Sequence, residues 1–178
     1  PSSSPSSGSG SFDISILGGP PANDDCNFAQ AIVGQGNFPY DGTLATTGTE
    51  GQDASHCNTH GGYGTGVGND LWYSWTADSD GLAMISTVGL TGVDTKIAAY
   101  AESICPSGIS AIICNDDNDL TFQSMIQFSV ISGGVYSLQI GTWPNQGTGG
   151  AGSFDISIKI AVINYLTEAQ ESLFYIMW

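Results

Sequence analysis

A nine-residue stretch occurs twice in this chain, as GSGSFDISI at 8–16 and as GAGSFDISI at 150–158, with eight of nine positions identical at an offset of 142 residues. Within it, S-F-D-I-S-I alternates polar and apolar residues, the pattern of a β-strand with one buried face. The chain has 178 residues, one domain's worth, and is long enough for a real core. Two copies of one strand therefore face a single body. The first copy is expected either as the last strand of a preceding repeat or as a strand that belongs in another molecule.

The rest of the chain is punctuated for short strands. Glycine is abundant, at 25 residues, and long helix formers are scarce before residue 160. A short apolar run lies at 29–33, and strands are expected near 42–48, 71–76, 82–88, 95–100, 111–114, 123–130, 135–140 and 153–160, with an acidic turn at 115–119. About eight strands with no intervening helices define an all-β protein, a jelly-roll-like antiparallel β-sandwich. Three segments are expected: residues 1–19, a Ser/Pro-rich linker plus the surplus strand; residues 20–160, the sandwich; and residues 161–178, an apolar tail. The tail reads equally as a strand or as a short helix, with 167–170 as a capping box.

Charge narrows the partners. Lys96 and Lys159 are the only cations against 17 carboxylates, a formal charge of −15. Such a surface repels nucleic-acid phosphates and anionic membranes. Lys159, Asn164, Glu168 and Glu171 also make the tail a poor membrane span. The acidity serves solubility, or it reflects carboxylates gathered by a hard cation such as Ca²⁺.

Four cysteines without a C-x2-C spacing point to two disulfides rather than zinc, and hence to an extracellular or cell-surface location. His56 and His60 lie in a Gly-rich stretch and read as loop residues. Residues 64–68 (GTGVG) lack the Lys and helix of a phosphate loop, and no G-x-S-x-G occurs, so no catalytic residue is expected. Trp72 and Trp75 differ by an odd number and point to opposite faces of one strand, one of them into the core. Tyr63 and Trp143 are the aromatic candidates for a carbohydrate or protein ligand.

Several spaced motifs bear on family. They are NDDC at 23–26, NDLWYSW at 69–75, DT at 94–95 leading into a strand that ends in Tyr100, CNDD at 114–117, GGVYSLQI at 133–140, and GSFDISI at 152–158. This order resembles the bacterial pre-peptidase C-terminal domain family, related to the collagen-binding domains of secreted collagenases. The resemblance implies a non-catalytic jelly-roll module, appended to exported or surface proteins and often in tandem. It also implies Ca²⁺ as cofactor, held by Asn23, Asp24 and Asp70, with Asp25 as an additional ligand. The Glu-Pro-Asn-Asn opening of the family is Pro-Ala-Asn-Asp-Asp here. A second acidic group, Asp116, Asp117 and Asp119 with Asn115 and Asp94, is either another site or an Asx-rich turn. Three disulfide pairings are open; a local Cys105–Cys114 bond would leave Cys26–Cys57.

The function expected on these grounds is a structural subunit that joins copies of itself into a fibre or surface array by strand exchange. Its contacts would be Phe12, Ile14 and Ile16 from the first copy, and Phe154, Ile156 and Ile158 from the second. The alternative is one tandem repeat of a secreted or cell-surface protein, binding carbohydrate or protein.

Overall fold

The computed structural model describes residues 18–51, 66–101, 105–106, 111–119, 121–144 and 146–160. A 3-10 turn at Cys26–Phe28 precedes nine strands. They are β1 (Gln30–Val33), β2 (Gly36–Asp41), β3 (Gly68–Thr76), β4 (Gly81–Ser86), β5 (Thr95–Tyr100), β6 (Ile113–Asn115), β7 (Met125–Val130), β8 (Val135–Thr142) and β9 (Ala151–Lys159). They form two sheets, ordered β1-β3-β8-β5-β6 and β2-β9-β4-β7. β1 joins β3 in parallel, and every other pairing is antiparallel. The all-β sandwich expected from the sequence is present.

Alternation explains which faces meet. In β7, Ile126, Phe128 and Val130 are buried while Gln127 and Ser129 are exposed. Together with Leu71, Tyr73 and Trp75 of β3, Leu138 and Ile140 of β8, and Phe154 and Ile156 of β9, they fill the space between the sheets. Trp75 meets Phe128 edge-on and Tyr136 at a tilt, at ring separations of 6.3 and 5.7 Å, and donates its indole N–H to the Gly34 carbonyl. The five-stranded sheet is also covered on its outer side. There Trp72, Ala98, Tyr100, Ala111, Cys26 and Cys114 form a second, smaller core. This second cover explains why every residue of β5 is buried, lysine included.

Two expectations are corrected. Residues 42–48 are a turn and a segment outside both sheets, and the strand is the preceding Gly36–Asp41. Pro39 within it is tolerated because β2 pairs only with β9 and is an edge strand. The disulfide joins Cys26 to Cys105, with Cα atoms 5.2 Å apart, and not Cys105 to Cys114 or Cys26 to Cys57. The reason is topological: the turn at Cys26 and the segment at Cys105 both lie over the outer face of the five-stranded sheet. Cys114 is disulfide-bonded as well, to a partner outside the described residues.

The register gives the sandwich two ends. The lower end carries the β1–β2, β3–β4 and β7–β8 connections and the end of β9. The upper end carries the turn after β2, residues 87–94, 116–124 and 143–150, and the chain's entry at Gly18–Pro21. A Cβ added at Gly18 would lie 3.3 Å from Leu44, and Gly19 and Pro21 line a cavity of about 250 Å³ with Asp41 and Leu44.

Candidate functional site

The second copy of the repeated sequence has a defined place in the fold. β9 lies inside the four-stranded sheet, antiparallel to β2 on one side and to β4 on the other. Phe154 is opposite Phe38, with rings 5.5 Å apart, and meets Tyr73 edge-on at 4.9 Å. Ile156 is opposite Gly36 and Ile85, and Ile158 is opposite Ala83. Phe154 and Ile156 are fully buried, and Ile158 packs half-buried against the same core. The Ile158 N–H donates to the Gln35 side chain at 2.8 Å. Phe12, Ile14 and Ile16, their counterparts in the first copy, lie outside the described residues.

The expected calcium ligands separate into two groups. In the first, a bulge in β3 between Gly68 and Leu71 carries Asn69 at φ 45°, the only positive-φ residue other than glycine among the described residues. The bulge sets Asp70 on the outer face, fully buried beneath residues 46–48. Asp70 accepts from the Gly48 N–H at 3.1 Å and from the Gln139 amide at 2.9 Å. Burial pushes its pKa up, and these donors partly restrain the shift. The Tyr100 hydroxyl lies 2.6 Å from the Gly51 carbonyl and 3.0 Å from the Gln139 amide oxygen, and burial raises its pKa strongly. Asp24 takes the Thr46 N–H and hydroxyl at 2.6 and 2.7 Å. Asn23 donates to the Trp72 carbonyl, and Asp25 caps the 3-10 turn through Asn27.

Asp24 and Asp70 thus fasten one segment, but with Asp25 they do not form a group of three carboxylates within 4.8 Å of one another. Their oxygens already face N–H and O–H donors.

The second group does converge. Asp94, Asp116 and Asp117 bring carboxylate oxygens within 4.8 Å of one another at the upper end; Asp119 is not part of that trio. The cause lies in the pairing of β5 with β6, which sets the turn after Asn115 against the start of β5. Ser124 reinforces it, its hydroxyl sitting between the carbonyls of Thr95 and Asp116. The Lys96 ammonium, wholly buried, is 3.9 Å from Asp116. Burial lowers the lysine pKa, and Asp116 offsets part of that. Asp94 is pushed up to about 6, first by burial and then by Asp117 and Asp116. The trio suits a hard cation in donor chemistry, and Lys96 supplies part of that charge from within. A further group, Asp25 with Cys26 and Cys105, has both its sulfurs committed to the disulfide.

Trp72 and Trp75 do point to opposite faces, and both are fully buried. Trp143 is half-buried. His56, His60, Tyr63 and Cys57 lie outside the described residues. Among the described residues no helix is long and apolar enough to cross a membrane.

No protein-family model matches the chain, and no curated protein does. Among the solved structures similar in fold are the following two. One is the pre-peptidase C-terminal domain of collagenase from Bacillus anthracis, at 16% identity and a TM-score of 0.42, covering 74% of this chain and 94% of that one. The other is PliG from Aeromonas hydrophila, a periplasmic inhibitor of g-type lysozyme, at 17% identity and a TM-score of 0.38, covering 74% and 97%. The first is the domain family that the sequence motifs resemble.

Proposed function

We propose that this chain is a non-catalytic extracellular unit of a serial array of β-sandwiches, in which residues 11–16 are the closing strand of the adjoining sandwich. The observation that carries this is the place of β9, an inner strand whose sequence the first copy repeats. A segment with Phe and Ile at the positions of Phe154 and Ile156 suits a slot paired on both sides and buried on one face.

The slot of its own sandwich is closed to the first copy. β9 already fills it. Direction excludes it too. In the slot, Ile16 would take the place of Ile158 near the lower end, about 20 Å along the strand from Ala151. Gly18, two residues later, lies at the upper end beside Leu44, and two residues span about 7 Å at most.

Exchange into a second copy's slot is possible in direction but weak in competition. Resident β9 follows β8 through residues 143–150 alone. A tether that short gives an effective concentration in the millimolar range. An identical strand from a separate molecule at micromolar concentration loses by about a hundredfold or more. A serial connection removes that penalty, because the strand and its sandwich then share one chain. Sizing and electron microscopy of the full chain test the choice. A monomer at micromolar concentration agrees with a serial unit; fibres would overturn it in favour of strand exchange.

Calcium belongs to this proposal as a stabiliser of the upper end, supported by the approach of Asp94, Asp116 and Asp117. Ca²⁺ is expected to raise the melting temperature relative to chelator, and Asp94→Asn to remove that gain. An identical melting temperature with calcium and with chelator would end the metal assignment. The disulfide at Cys26–Cys105 supports the extracellular location.

A further inference from the structure

Among the described residues, the large apolar side chains that remain exposed are placed unevenly. Val33, Leu82, Ile131 and Ile160, between 40 and 68% exposed, all fall at the lower end. Leu44, 52% exposed, falls at the upper end beside the chain's entry, and Phe122, 68% exposed, falls at the same end by the opposite edge of the four-stranded sheet, just before β7. The other two, Phe28 and Ile112, flank the edge strands of the five-stranded sheet. Apolar side chains gathered at an end of a domain mark a surface that meets something.

From this placement we infer that consecutive sandwiches dock end to end, the lower end of one unit packing on the upper end of the next around Leu44 and Phe122. The inference rests on the reading of residues 11–16 given above. What fixes the occupant is linker length. With Ile16 in the place of Ile158, Leu17 and Gly18 fall where Lys159 and Ile160 stand in this sandwich. Gly18 is at the same time the residue beside Leu44. No free linker is left, so the two ends meet as soon as the strand is seated. The first copy also diverges suitably: Leu17 replaces the exposed Lys159, making the junction more apolar where the units touch. The cavity of about 250 Å³ lined by Gly19, Pro21, Asp41 and Leu44 would receive an apolar side chain from the preceding unit.

Like charges oppose the contact and set its salt dependence. Asp78 and Asp80 stand exposed at the lower end, bonded to Gln35 and Ser132, and Asp41 stands exposed at the upper end. Docking is therefore expected to tighten as salt screens them.

The test is a two-unit chain made by placing residues 20–149 directly before Gly8 of the full chain. Its first sandwich closes with residues 11–16 and carries no apolar tail, so only the second unit is available to cover its lower end. Small-angle scattering is expected to show one rigid rod. The melting temperature is expected to exceed that of the full chain by about 4 °C or more. Leu44→Asp or Phe122→Asp in the second unit should abolish that gain while leaving the full chain alone unchanged. Scattering from two freely swinging units, or a gain that survives both substitutions, would overturn docking. Amide exchange separates the two levels. If residues 11–16 are protected but the units swing, docking alone fails; if they stay unprotected, the reading beneath it fails.

Discussion

Burying Lys96 takes one of only two cations out of water and sets it 3.9 Å from Asp116, with Asp94 and Asp117 close by. An isolated ammonium at that depth would be strongly unfavourable, so the carboxylates and the lysine depend on one another. Lys96→Met leaves the carboxylates without their internal cation and is expected to cost about 3 kcal/mol in chemical denaturation. Adding Asp94→Asn to it should recover part of the loss. Asp94 alone gives a pH signature. Its folded pKa of about 6 lies above the ordinary 3.8, so the folded chain binds this proton more tightly than the unfolded chain. The carboxylate therefore opposes folding above pH 6, and the opposition fades as pH falls towards 4. In chelator, Asp94→Asn is expected to raise the melting temperature at pH 7.5 and to leave it almost unchanged at pH 4. An equal rise at both values would show that Asp94 is not held in this way. The sequence marked Asp116, Asp117 and Asp119 through their density and added Asp94; the structure keeps Asp94 in the trio and leaves Asp119 outside it. It gave no sign of Lys96 as their partner, because that contact depends on the cover over the outer face of β5.

Strands carrying an apolar run were legible whether or not the run alternates, and the one without such a run was not. β3, β4, β5, β6, β7, β8 and β9 lie within a few residues of the segments expected as strands. β2 reads GNFPYD, with glycine, asparagine and proline, and has little strand propensity of its own. It is a strand because β9 offers it a partner along six residues, a relation between distant segments. The disulfide was missed for a similar reason. Cys105 and Cys114 are near in sequence, but the outer cover brings Cys105 to Cys26 across 79 residues. Closing a loop of that length is worth about 4 kcal/mol in the chain-entropy account, so Cys26→Ser with Cys105→Ser should lower the urea midpoint by that equivalent. The two copies of the strand offer a sharper comparison. Phe154→Ala removes a wholly buried ring and is expected to cost about 4 kcal/mol in the full chain. Phe12→Ala should cost nothing there, and about the same in the first sandwich of the two-unit chain.

At the scale of the molecule, the duplicated strand and the direction of the chain constrain each other. β9 runs from the upper end to the lower end, and the body begins again at the upper end with Gly18. Under the proposal made above, the segment that repeats β9 and ends two residues before Gly18 closes a different sandwich, one whose lower end is at hand. The exposed apolar side chains at the two ends agree with that arrangement. Hydrogen exchange in the two-unit chain tests this claim most directly, because the two S-F-D-I-S-I segments share the same local sequence and so nearly the same intrinsic exchange rates. The account predicts that residues 11–16 become as protected as residues 153–158 once a sandwich precedes them. Exchange of residues 11–16 at the rate of a free peptide, with residues 153–158 protected in the same molecule, would contradict it.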